Sequence, residues 1–189
     1  NYSIDGDTIF VSAGTYYENI NFNSKNIALI GEDRETTIID GNQSGSVIVF
    51  NNGENSTTLL STLTIQNGSN NNGGGIYCYE SNPILNNISI LNNMASSKGA
   101  GIFSEFSDLI IENSQIDNNT LTEDGSGGGG IYLSYSNLSI NKSEIINNEG
   151  CFGGGGIASY NSNVNIDELL IANNMASGCM DSGEGGGIR

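Results

Sequence analysis

One spacing in this chain is held constant while the chain around it changes length. Five isoleucines each close a cluster of small residues: Ile76, Ile102, Ile131, Ile157 and Ile188. Their separations are 26, 29, 26 and 31 residues. The distance from each of the first four to the next Asn-Asn pair is always 16 residues, ending at Asn92, Asn118, Asn147 and Asn173. All variation in length therefore falls between an Asn pair and the next glycine cluster. A fixed stretch closed by one variable corner is what a solenoid coil requires, because each repeat contacts only its neighbours.

Within the fixed stretch, apolar residues alternate as in strands. Leu109/Ile111 and Leu138/Ile140 are two apart, and Ile90, Ile116, Ile145 and Ile171 recur at one phase. The phase resets at turn-formers such as Asn86-Asn87 and Asn141-Lys142. The composition agrees. Glycine is abundant at 27 residues and Pro83 is the single proline, a mix poor for helices and suited to short strands and tight turns. The spacing predicts an all-β parallel β-helix with three short strands per coil, the isoleucines stacked inside. One Asn of each pair should point inward as a hydrogen-bonded ladder, and the other should turn the corner. Residues 73–189 form the regular coils and residues 1–72 the irregular first coils of one domain spanning 1–189. A leucine-rich repeat would need a Leu-dominated pattern. A calcium-binding glycine roll would need an acid two residues after its last glycine, where this chain has none.

Five Lys and Arg against 21 Asp and Glu leave a net charge of −16. That balance repels nucleic acid and anionic membrane surfaces. No apolar run is long enough to span a bilayer. Histidine is absent, which removes Ser-His and Cys-His nucleophiles from this chain.

The stretches "GDTIFVSAGTYYENINF", "TTIIDG" and the recurring "NNGGGIYC…NP" resemble the right-handed parallel β-helix of the pectin-lyase-like superfamily. More narrowly, they resemble secreted bacterial β-helix repeat proteins. The glycine-plus-Ile element is also similar to that of chlamydial polymorphic outer-membrane proteins, without their Phe-containing partner motif. The resemblance implies a secreted or surface-displayed bacterial protein, and it implies fold more than activity. Family members usually cap the first coil with an amphipathic helix. This sequence starts without one and ends inside a first strand, so it reads as a segment of a longer protein. The lyases resembled need calcium-binding carboxylates with an Arg or Lys base, and the hydrolases and esterases two or three aspartates. The outward places on the first strand instead hold Tyr77, Tyr79, Phe103, Glu105, Tyr132, Ser134, Ala158 and Tyr160. The expectation is therefore a structural or adhesive segment. The alternative is a polysaccharide-active enzyme or glycan-binding module with key residues elsewhere.

Three groups of candidate residues follow. Tyr77, Tyr79, Phe103, Tyr132 and Tyr160 face outward by alternation and offer rings for stacking sugars, although ordinary cross-strand pairing is the simpler account of them. Glu123, Asp124, Glu149, Asp181 and Glu184 gather in the variable loops, where oxygen-rich clusters hold Ca²⁺ in other proteins and a solvated acidic face needs no ion. Cys151 and Cys179 lie in consecutive variable loops and form a candidate disulfide, while Cys78 points inside. The partners expected are a glycan or another cell-surface ligand. An open solenoid also offers its ends, to a second copy or to more of its own chain.

Overall fold

The computed structural model describes residues 3–123, 127–151, 153–176 and 186–189. Among these there is no helix, and the named strands all pair in parallel. The chain winds as a parallel β-helix with three sheets of 12, 6 and 5 strands.

The glycine-led strands make the six-stranded sheet. Their register places Ile48, Ile76, Ile102, Ile131 and Ile157 directly above one another, and an isolated bridge adds Ile188. A second column runs Ile39, Ile65, Ile90, Ile116, Ile145 and Ile171. A third runs Leu29, Leu60, Leu85, Ile111, Ile140 and Ile166. These columns form one continuous apolar core, except at the last coil, where Ile166 and Ile188 are exposed and Ile188, expected inside, is not covered. The columns continue into the first 72 residues, so the less regular opening keeps the same three rows. Both expected isoleucine stacks are present and reach further towards the N-terminus than the glycine-cluster spacing alone predicts.

The large sheet carries the second and third strands of each coil. In the early coils these are separate, as in Ile84–Asn86 and Ser89–Leu91; later they merge into Asn137–Ile146 and Asn163–Ala172. The five-stranded sheet is an addition to three strands per coil. It is built from Ser69–Asn72, Met94–Lys98, Thr120–Leu121, Glu149–Gly150 and Met175–Ala176. These segments open the connection that the sequence marks only as variable in length. The repeated "NNMAS" is thus a corner followed by a short strand.

At that corner Asn92, Asn118, Asn147 and Asn173 take left-handed backbones, with φ of 55°, 55°, 54° and 56°. Asparagine tolerates this conformation better than other residues with a side chain. The following Asn93, Asn119, Asn148 and Asn174 point inward. Backbone and side-chain N–H groups of Asn119 donate to Asn148 Oδ1 at 3.0 and 2.9 Å, and its amide nitrogen also donates to Ile90 O at 3.0 Å. Asn93 and Asn148 repeat the arrangement one coil away. Each amide therefore pairs buried polar groups on both adjacent coils.

This ladder also explains the glycine punctuation. A Cβ on Gly75, Gly101 or Gly130 would lie 2.6 Å from the carbonyl of the matching glycine in the next coil. The inward Asn amide stands on the same side, 2.9 Å from such a Cβ at Gly75. The last glycine before each isoleucine is the space the Asn ladder occupies.

Candidate functional site

A second corner follows the same rule, a left-handed residue and then a small inward polar one, whereas the third keeps the left-handed residue but follows it with Leu63, Ile88, Ser114, Ser143 and Leu169 in turn. After the glycine-led strand, Glu80, Phe106, Tyr135 and Asn161 have φ of 48°, 52°, 47° and 46°. They are followed by Ser81, Ser107, Ser136 and Ser162. The backbone N–H of Ser81 donates to Ser107 Oγ, that of Ser107 to Ser136 Oγ and that of Ser136 to Ser162 Oγ, at 2.9–3.1 Å. The ladder starts at the buried carboxylate of Glu54, which accepts from Ser81 Oγ at 2.8 Å and from the N–H groups of Ser24 and Asn52. These partners make Glu54 a corner plug. Cys78 lies beside it, buried and free, its Sγ 3.2 Å from Ser81 O, and burial pushes its thiol up to about 12.

Aromatic rings occupy the outer side of this region in two columns. In the first, Tyr77 stacks on Phe103 with centroids 5.2 Å apart, and Phe103 on Tyr132 at 5.9 Å. Strand alternation does turn these rings away from the isoleucines, as expected. They are not an open platform, however. Phe103 is 4% and Tyr132 7% exposed, and both belong to a small outer core with Ala158. The connecting strand Met94–Lys98 supplies part of the cover: Lys98 Nζ sits 4.7 Å from the Tyr132 centroid. The cover comes from the variable connection, which strand alternation does not describe.

The second column is open. Tyr79 meets Phe106 edge to face at 6.0 Å, Phe106 stacks on Tyr135 at 5.3 Å, and Tyr135 meets Tyr160 edge to face at 5.6 Å. Phe106, Tyr135 and Tyr160 are 49%, 50% and 54% exposed. Of these four rings, Tyr79 and Tyr160 are expected from alternation. Phe106 and Tyr135 are the two that alternation misses, because they sit one residue past the strand, on the turning position. A bulky side chain with positive φ is an outlier there, where the flanking coils use Glu80 and Asn161. The signal that finds them is the serine that follows at a constant distance from the glycine-cluster isoleucine.

Polar rows flank the open column. On one side, Tyr79, Glu105, Ser134 and Tyr160 are aligned in register, and Ser134 Oγ donates to Glu105 Oε1 at 3.2 Å. On the other side an exposed chain of amides runs along the axis. Asp108 N–H donates to Asn82 Oδ1 at 2.7 Å, Asn137 Nδ2 to Asp108 Oδ1 at 2.6 Å, and Asn163 Nδ2 to Asn137 Oδ1 at 2.8 Å. Asp108, Ile110, Asn137, Ser139, Asn163 and Asn165 line an open groove beside it. Hydrogen bonding to Glu80, then its charge, partial desolvation and Glu105 hold the Tyr79 phenol above its usual range. The Tyr77 phenol is also raised, first by burial and then by Glu105 and the Cys78 thiol.

Of the acidic loop residues, Glu123 and Glu149 are exposed. Asp124, Asp181 and Glu184 lie outside the described residues. Among the described residues no three carboxylate, thiol or imidazole groups come together as a metal site. Cys151 is buried and disulfide-bonded. Cys179 lies outside the described residues. Among the described residues no helix is long and apolar enough to cross a membrane.

No family model, curated protein or solved structure matches this chain. The chain is a parallel β-solenoid on the strength of its own register and geometry.

Proposed function

We propose that this β-helix is a non-catalytic adhesive segment that binds an extended glycan along the open column Tyr79–Phe106–Tyr135–Tyr160. The observation that carries the reading is that two of these rings, Phe106 and Tyr135, stand in left-handed backbone positions at half exposure. Such conformations cost of order 1–3 kcal/mol each and concentrate at functional sites. Exposed rings supply apolar faces for sugar C–H groups, and the adjoining amide row supplies donors and acceptors for hydroxyls. Each coil advances by about 4.8 Å, close to the length of one sugar unit in an extended β-linked chain. Display outside the cell or on a bacterial surface fits the disulfide at Cys151, since such bonds persist in oxidising compartments.

The experiment is affinity electrophoresis and a glycan array with the wild-type chain and the double variant Phe106→Asn/Tyr135→Asn. Asparagine already occupies this turning position at Asn161, so the corner is preserved. The expected result is glycan retention by the wild type and its loss, at least tenfold, in a double variant of unchanged circular dichroism. Equal retention by both, or none by the wild type, overturns the reading.

A further inference from the structure

The open column is acidic as well as aromatic, and that combination constrains the charge of what it holds. The four rings do not lie in a straight line. Tyr79 and Tyr160 sit in the row that contains Glu105 and Ser134, whereas Phe106 and Tyr135 sit one residue further along. The rings therefore curve around Glu105, whose carboxylate is held by the Ser134 hydroxyl at 3.2 Å. Glu80 follows Tyr79 at the same corner and adds a second carboxylate there. Asp108 adds a third carboxylate two residues beyond Phe106, exposed in the amide row. Four of the five basic side chains sit elsewhere. Lys25 donates to Ser3, Arg34 to the carbonyl of Asn113, and Lys98 sits over the covered ring Tyr132. Lys142 lines a groove with Arg34 at the next corner.

We infer that the glycan bound here carries free amino groups, as in a polymer of unacetylated amino sugars; the inference rests on the glycan reading above. An ammonium group is attracted to an aromatic face, best when desolvated, and gains further from a nearby carboxylate. Rings curved around Glu105 offer both at once. A polyuronate meets three carboxylates and a chain of net charge −16, which oppose its approach. A neutral glycan gains only the stacking. The occupant of this face is thereby set by charge complementarity as well as by shape.

The test measures binding of four hexasaccharides by isothermal titration: glucosamine, N-acetylglucosamine, glucose and galacturonate hexamers. The glucosamine hexamer should bind tightest, and the galacturonate hexamer should not bind. Glu105→Gln should weaken glucosamine binding about fivefold, the equivalent of roughly 1 kcal/mol for one cation contact. High salt should narrow its advantage over the acetylated hexamer. If the acetylated or neutral hexamer binds as well as the amine, the charge inference fails and the glycan reading stands. If no hexamer binds the wild type, both fail. If Phe106→Asn/Tyr135→Asn binds the glucosamine hexamer like the wild type, bulk charge is the cause and the inference fails.

Discussion

Tyr77, Phe103 and Tyr132 make one column of rings, and Tyr79, Phe106, Tyr135 and Tyr160 make another only a few residues along the same coils. Residue type, spacing and sheet are nearly shared. What separates them is cover. The first column lies against the connection between coils and is part of an outer core, while the second stands half-exposed on a corner among the described residues. The backbone differs in the same sense. The covered rings occupy ordinary strand positions, whereas Phe106 and Tyr135 occupy left-handed ones. In a solenoid, stacking neighbours makes aromatic columns readily, so a column is informative only where it is exposed and held against local preference.

The largest test of this contrast pairs Phe103→Ala with Phe106→Asn. Removing the covered ring leaves a cavity and should destabilise the chain by about 3 kcal/mol. Replacing the open ring loses stacking of about 0.5–1.5 kcal/mol and relieves a left-handed cost of similar size. Its stability should therefore stay within about 1 kcal/mol of the wild type. Denaturant melts of both variants decide it. Equal losses would mean that the second column is also structural.

A smaller effect is expected at the cover itself. The Lys98 side chain sits over Tyr132 while its backbone pairs with Asn72, so Lys98→Met should keep the pairing and the apolar stem and remove only the cation. The loss should be about 0.5–1 kcal/mol, and it should shrink in the background of Tyr132→Leu. A double-mutant cycle with no coupling would show that the connection, and not the cation, closes this column.

Much of this molecule is legible in its residues, and the boundary of legibility is physical. The constant distance from Ile76, Ile102, Ile131 and Ile157 to the Asn pairs exposes the coil, because a rigid stretch cannot change length without breaking register. The glycine before each isoleucine and the inward Asn of each pair are two sides of one contact, so both recur. The cover over Phe103 and Tyr132 is not legible. It comes from segments whose length varies between coils, and alternation along a strand says only which way a ring points. Phe106 and Tyr135 escape for a related reason: they sit where the strand ends and the phase resets. Ser107 and Ser136 beside them do recur, at the same distance as Ser81 and Ser162, and mark the corner that the two rings occupy.

The smallest expected effect is a titration that separates the columns without touching stability. The Tyr77 and Tyr79 phenols are both raised, but for different leading causes. Burial leads at Tyr77, followed by Glu105 and the Cys78 thiol; at Tyr79 the hydrogen bond to Glu80 leads, followed by that residue's charge. Each raised value means that ionisation to phenolate is opposed. Removing the negative charge of Glu80 with Glu80→Gln should therefore let Tyr79 ionise at lower pH. Tyr77, whose shift has no contribution from Glu80, should titrate as before. Carbon-13 NMR of the tyrosine ring carbons, followed from neutral to alkaline pH, resolves the two residues. No shift at Tyr79, or a shift at Tyr77 alone, would mean that Glu80 does not face the open column. An ammonium group bound there would then meet Glu105 and Asp108 without it.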